Sequence, residues 1–439
     1  MNLLVRLRRL VNRDLLINAA SMIGTTVITA GLGFVYWWLA ARLFSQEAVG
    51  FASALISAMS LLGTIGRFGM GTLLIGELPR QPEQRGALIT TALAVAAGVS
   101  ALLGIIFALI APLVSAELRT LAGGAGTLLL FTAGVVLTAV TLVLDQAMIG
   151  MLRGELQLWR NAIFALGKLG VLWLVGLWAA GGDGLPIYTT WTLGNLASII
   201  GMALIAAMAG ARLRVCQPRW ELLRRLPGAA LGHHALNLAL QLPALALPVI
   251  VTAILSAALN ASFYMSWLLL HLVFAIPYTL TTVLYAAGIG DRATFAHKIR
   301  LTLGLAIALG VLSNIVLWAG ADMLLGVFGH AYAEQAGGSL RIMGLAVFPL
   351  IIKDHFVAVQ RVHERIPRAA LLAMIGSALE LAGAAIGASV DGLVGLSIGL
   401  VLALCVEAAF MARTVYTSTA IWDLRWRISD PSVSSVERA

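Results

Sequence analysis

Long apolar runs separated by short polar joints make up nearly the whole chain. A helix that crosses a bilayer needs roughly 20 mainly apolar residues. Twelve stretches meet that requirement, at about 16–41, 49–72, 87–114, 125–150, 161–181, 186–210, 229–255, 260–288, 300–319, 339–361, 368–389 and 392–415. The joints are short, and the joint at about 320–338 is expected to be the longest external loop. No soluble domain fits between them. With 60% hydrophobic and 11% charged residues among 439, the chain cannot clothe a water-facing globule. The expected fold is therefore an all-α polytopic membrane protein of twelve transmembrane helices in two six-helix lobes.

Orientation follows from the basic residues, which collect on the cytoplasmic side of membrane proteins. With the N-terminus inside, 24 of the 29 Lys and Arg fall in alternate joints on one side, while Arg42, Arg119 and Arg341 fall on the other. Lys168 and Lys353 lie within spans. Removing one central helix would move every later joint across the membrane and destroy this asymmetry, so both termini are expected in the cytoplasm. The net charge of +9 is accounted for by the same distribution. No basic patch interleaved with aromatic residues suggests nucleic acid. Residues 15–41 are too long for a signal-peptide core, and the preceding arginines Arg6, Arg8 and Arg9 suit an interfacial lead-in on an anionic leaflet.

Five regions follow: a basic interfacial segment at 1–15, an N-lobe of six spans at 16–210, a basic linker at 211–228, a C-lobe of six spans at 229–415 and a cytoplasmic tail at 416–439. The lobes echo one another. Ser45 and Ser256 stand after the first span of each lobe at an offset of 211. Asp145 and Glu155 pair with Asp354 and Glu364 at an offset of 209. Weak identity in consistent register is the signature of a duplicated membrane unit. Cys216 and Cys405 lie in a basic joint and an apolar span and are expected to be inert.

The joint between the first two spans, Leu39-Ala-Ala-Arg-Leu-Phe-Ser45 followed by Ala48-Val-Gly-Phe51, resembles the opening of the Wzx-type polysaccharide flippases. These belong to the multidrug/oligosaccharidyl-lipid/polysaccharide (MOP) exporter superfamily. Arg67-Phe-Gly-Met-Gly-Thr-Leu-Leu-Ile-Gly-Glu-Leu-Pro79 is similar to that family's Gly-rich exit from the second helix, and Val327-Phe-Gly-His-Ala-Tyr332 to its external turn. Gln46-Glu47 departs from the usual proline-containing turn, and Phe51 stands where tyrosine is common. The resemblance implies two six-helix bundles around a central cavity. It also implies a bacterial inner-membrane protein that carries a polyprenyl-pyrophosphate-linked oligosaccharide to the outer leaflet by alternating access, coupled to an ion gradient. Its implied partners are that glycan, membrane lipids and polysaccharide polymerase or ligase machinery.

Ionisable groups inside spans are costly and mark candidate sites. Arg42, Arg67, Lys168 and Lys353 are the candidate substrate-binding cations, because a polyprenyl pyrophosphate carries its charge at the headgroup level. The alternative for Arg42, Arg67 and Lys353 is snorkelling to headgroups. Lys168 is deeper, with no acid near it in sequence. Asp145, Asp354, His271, Glu380 and Glu407 are candidates for ion coupling or for structural ion pairs, and His271 titrates near neutrality. His233 and His234 are adjacent and do not share a helical face, which disfavours a metal. Pro243 and Pro248 in the seventh span, with Gly31 and Gly33 at about the matching place in the first, are candidate hinges. The alternative is an ordinary kink.

The sequence has no GxxxxGK[ST], CxxC or HExxH motif, so no cofactor and no direct ATP chemistry is expected. Two other readings remain open. A multidrug exporter of the same superfamily would usually carry an acidic residue mid-span in the first lobe. A membrane glycan polymerase or glycosyltransferase would need charged external loops, and the external joints here are nearly uncharged.

Overall fold

The computed structural model describes residues 13–178, 182–208, 216–221, 228–290 and 294–429. Regular structure among these residues is helical throughout. In chain order the helices are α1 (Arg13–Leu43), α2 (Gln46–Gly66), α3 (Met70–Glu77), α4 (Arg85–Val114), α5 (Ala125–Gly150), α6 (Gly154–Trp178) and α7 (Leu185–Met208). They continue as α8 (Gly228–Ile254), α9 (Ala257–Gly290), α10 (Phe295–Gly326), α11 (His330–Gly344), α12 (Val347–Val362) and α13 (Ile366–Ser429). Short 3-10 turns cover Pro82–Gln84 and Ala116–Ala122.

Ten helices are long and apolar enough to cross a membrane, or eleven if α11 and α12, bent by 45°, form one crossing. The longest, α13, is itself two helices. Asp391 (φ −144) and Gly392 (φ 55) break it, and the left-handed value at position 392 suits a residue without a Cβ. Beyond the break, Gly395 meets Gly387 and Gly399 meets Gly383, so closely that a Cβ on any of the four would crowd the opposite backbone. Contacts in which one number falls as the other rises define an antiparallel hairpin. With its two arms counted separately, and α11 with α12 taken as one crossing, the count among the described residues is twelve.

Two expected features are corrected. The stretch 320–338 is not a loop: α10 continues to Gly326 and α11 begins at His330. The start of α6 at Gly154 places Arg160 inside a helix rather than in a cytoplasmic joint.

By packing, the chain divides into two compact units: residues 1–234 with 244–261, and residues 235–243 with 262–439. The division cuts α8 twice, between His234 and Ala235 and between Pro243 and Ala244, and α9 once, between Ala261 and Ser262. In the first unit, α2 is the interior helix, 78% buried over its apolar window against 22% for the span containing α4. Leu102, Leu109 and Leu113 of α4 lie exposed, an apolar face suited to lipid. Gly50 of α2 lets the start of α9 approach its backbone, and Asn260 donates Nδ2 to the Gly50 carbonyl at 2.8 Å and to Ser53 Oγ at 3.0 Å. In the second unit, Leu236, Leu284, Phe295, Ile299, Phe356 and Met411 form a buried core.

The repeat is visible in the local geometry. Ser45 Oγ accepts the Ala48 amide at 3.2 Å, and Ser256 Oγ accepts the Leu259 amide at 3.1 Å. Both serines therefore cap the second span of their lobe through the third helical residue. Further along, α5 and α12 each end on a left-handed residue that is not glycine, Leu152 (φ 56) and Glu364 (φ 58). In both turns the next amide reaches back five residues, Arg153 N to Met148 O and Arg365 N to Gln360 O, each at 2.9 Å. This is the Schellman closure of a helix C-terminus. It fixes the register here at 212, since α5 ends at Gly150 and α12 at Val362, and α6 begins at Gly154 and α13 at Ile366. The offset of 209 that would match Asp145 to Asp354 and Glu155 to Glu364 is corrected accordingly.

Candidate functional site: buried charges in each repeat

In the second unit, Lys353 of α12 projects between the two arms of α13. Its Nζ donates to Glu380 Oε1 at 2.6 Å on the first arm and to Glu407 Oε2 at 3.0 Å on the second. All three residues are at most 4% exposed. Gly376 opens the space, because a Cβ there would overlap the Glu407 carboxylate. Glu407 Oε1 has no hydrogen-bond partner. Lys353, expected as a substrate-binding cation, is thus held by two carboxylates. Glu380 and Glu407 have a cation after all, supplied from a different helix. Removing one partner of such a cluster strands charge in a low-dielectric interior, whereas removing all of it costs far less.

In the first unit, Asp145 of α5 receives a two-pronged bond from Arg160 of α6, Nε to Oδ1 at 2.5 Å and Nη2 to Oδ2 at 2.6 Å. Asn161 Nδ2 adds a bond to Oδ2 at 3.3 Å, and Arg160 Nη1 reaches Ser198 Oγ of α7 at 3.5 Å. Arg160 is 4% exposed and Asp145 7%. Fork geometry and neighbouring acceptors are what make a buried pair tolerable. Arg160 therefore ties three helices together, α6 to Asp145 of α5 and to Ser198 of α7.

Lys168 has no such anion among the described residues. Its Nζ lies 3.7 Å from the ring centre of Trp191 on α7, 4.7 Å from Phe164 and 4.9 Å from Tyr36 on α1. Three negative ring faces are the usual environment of a desolvated cation without a carboxylate. The residue is 4% exposed, so it sits in a closed aromatic box rather than on an open cavity wall. Tyr36 is fixed in turn by Thr190 Oγ1 at 2.6 Å.

Arg67 caps the end of α2, where Phe68 (φ 43) and Gly69 (φ 75) turn the chain into α3. Its Nε is buried without a partner. His234 lies beside the same turn, its Cβ within 3.8 Å of where a Gly69 Cβ would stand. Arg42 is exposed in the last turn of α1. His271 is exposed on α9 and bonds its own helix, Nδ1 to the Trp267 carbonyl at 2.8 Å. Asp354 neighbours Lys353 in sequence but points elsewhere, into a small cleft with Arg361 and Tyr285.

The candidate hinges lie in unbroken helix. A Cβ at Gly31 or Gly33 would meet nothing within 4 Å. Proline at 243 has no N–H for the Ala239 carbonyl, and that carbonyl is taken by Ser377 Oγ at 2.5 Å. Thr252 Oγ1 bonds the Pro248 carbonyl at 2.9 Å.

Sequence reasoning missed Arg160, which looked like a joint arginine. It also missed His355, whose buried ring joins Thr302 at 3.1 Å to the Ile351 carbonyl at 2.7 Å. The spacing of Asp145 and Arg160, one on each side of a predicted turn, was the available signal for that pair.

The order and pairing of these helices decide the fold. Over 94% of this chain and 93% of the other, it superposes on "Lipid II flippase MurJ, inward closed conformation", with a TM-score of 0.67 at 12% identity. An inward-facing multidrug resistance MATE family transporter of the MOP superfamily gives 0.64 at 14% identity over 90% and 95%. The chain has the MOP-superfamily fold. A mutant of the Vibrio cholerae MATE transporter VcmN gives 0.56 at 16% identity over 92% and 96%. Residues 15–226 match the family described as "Polysaccharide biosynthesis protein". No curated protein matches by sequence. The neighbours named here are transporters and a flippase, and the many apolar helices make this chain a multi-pass membrane protein.

Proposed function

We propose that this protein is a flippase that moves a polyprenyl-pyrophosphate-linked oligosaccharide from the cytoplasmic to the outer leaflet of a bacterial inner membrane. The observation that carries the reading is the family match over residues 15–226. The MOP fold alone is shared by multidrug exporters and a lipid II flippase, and the family description points to the glycan side.

Arg67 is the cation best placed for the pyrophosphate: it stands at a helix break with an unpartnered Nε, and an arginine fork matches phosphate oxygens. The Lys353–Glu380–Glu407 cluster is the ion-coupling element. It sets one cation against two carboxylates and leaves Glu407 Oε1 without a partner, ready to receive a coupling ion. Alternating access bends α8 at Pro243, the one of the two places where the packing division cuts this helix that carries a proline.

The test is purified protein in liposomes carrying a fluorescent polyprenyl-pyrophosphate sugar, with leaflet exchange followed by reduction of outer-leaflet probe. Under an imposed proton gradient and without ATP, exchange faster than in protein-free liposomes supports the reading. Exchange at the protein-free rate rejects it.

A further inference from the structure

Resting on the flippase reading, we propose that a cleft between α8, α9 and α12 is a sugar subsite, separate from the pyrophosphate cation, that holds one sugar ring of the lipid-linked glycan. The cleft lies wholly within the second unit, with a volume of about 20 Å³, and is lined by Tyr278, Thr281, Tyr285, Asp354 and Arg361. A space of that size takes one hydroxyl or hydroxymethyl group; the ring it belongs to lies over the mouth.

Two charged groups face this cleft incompletely satisfied. Asp354 makes no hydrogen bond and no ion pair among the described residues, and Arg361 is not within ion-pair distance of it. Arg361 gives Nη2 to Asn237 Oδ1 at 3.0 Å and packs over the Tyr285 ring at 6.0 Å, while its Nε is buried without a partner. A carboxylate without a partner is costly to hold in a protein interior, and a ligand hydroxyl at the cleft would supply the missing hydrogen bond. Tyr278 at its rim is 57% exposed.

The chemistry of the lining selects the ligand. A phosphate offers only acceptors and would be repelled by Asp354. A sugar hydroxyl both donates and accepts, so one can give its hydrogen bond to Asp354 while another accepts from the Arg361 guanidinium that lines the cleft. The ring of Tyr278 offers an apolar face for the C–H side of a pyranose. Register shows that the first unit has no counterpart: at the offset of 212, Leu142 and Ile149 stand where Asp354 and Arg361 do. The subsite belongs to one repeat only.

The test compares binding to the full-length protein in nanodiscs of two kinds of probe. One is a short-chain polyprenyl pyrophosphate. The others are the same lipid bearing a single glucosyl, galactosyl, N-acetylglucosaminyl or N-acetylgalactosaminyl residue. Wild type should bind the best sugar-bearing probe about tenfold more tightly than the bare lipid, the effect of one or two charge-assisted hydrogen bonds. Asp354→Ala and Tyr278→Leu should each abolish that difference and leave the bare lipid's affinity unchanged. Tyr278→Leu changes an exposed side chain, so a folding loss in Asp354→Ala does not decide the outcome. Equal binding of all probes by wild type, or variants that retain the difference, overturns the subsite alone. A wild type that binds no probe overturns the flippase reading and the subsite with it.

Discussion

Lys168 and Glu380 stand at the same point of the two repeats, each sixteen residues beyond the left-handed residue that ends the preceding helix, Leu152 in one and Glu364 in the other. The same register matches Lys353 to Thr141 and Glu407 to Asn195. Those first-lobe residues meet too, Thr141 Oγ1 and Asn195 Oδ1 lying 3.4 Å apart. One buried polar position has therefore taken two forms. In the second lobe it is an ion cluster; in the first it is a neutral pair beside a lysine that left the polar group for an aromatic box.

The cluster form predicts a steep response to partial removal. Lys353→Met should destabilise the protein by about 3–5 kcal/mol, because two carboxylates are left buried without their cation. The triple variant Lys353→Met, Glu380→Gln, Glu407→Gln should recover most of that loss. Chemical unfolding in detergent measures both, and a Lys353→Met protein as stable as wild type would contradict the cluster.

The boxed form predicts the reverse. Burying an ammonium with no anion costs more than the rings return. Lys168→Met should therefore melt at or above the wild-type temperature and be present at normal abundance in the membrane. A clear fall in melting temperature would mean that the box depends on the ammonium.

Ser377 and Pro243 should be energetically coupled. Ser377→Ala strands the Ala239 carbonyl and should cost about 1–3 kcal/mol in the wild-type background. In a Pro243→Ala background the restored backbone amide at position 243 bonds that carbonyl, so the same serine change should cost markedly less. Additive losses in the double-mutant cycle would show that the bond is incidental. The cycle also bears on the proposed bend, because a proline whose freed carbonyl is capped from another helix bends within limits set by that cap.

Twelve crossings with cytoplasmic ends predict a labelling pattern. Single cysteines at Gln217 and Arg365 should react only from the cytoplasmic side, and those at Asp183, His330 and Asp391 only from outside. Position 391 is the most informative, since it tests the hairpin of α13. Internal labelling there would reduce the crossings to eleven and place the C-terminal arm elsewhere.

Apolar length and the asymmetry of Lys and Arg made the spans legible in the sequence, because both are bulk consequences of the bilayer. Ser45 and Ser256 were legible as a repeated pair, and the structure adds that both cap a helix. What could not be read was which buried charges meet. Lys353 finds Glu380 and Glu407 at separations of 27 and 54 residues, distances that no helical periodicity encodes. Arg160 was hidden by a helix start placed seven residues late. The 209 register failed because chance identities, Asp with Asp and Glu with Glu, outweighed a turn geometry that the two repeats build from different residues.

The central claim is transport of a lipid-linked glycan, and it is tested most directly in one preparation of proteoliposomes offered two cargoes. A polyprenyl-pyrophosphate oligosaccharide and a lipophilic cationic dye would be followed side by side, without ATP and under an imposed proton gradient. Gradient-dependent leaflet exchange of the glycan lipid is expected, with the dye moving no faster than in empty liposomes. Transport of the dye with no exchange of the glycan lipid would contradict it and make the chain a small-molecule exporter of the same fold.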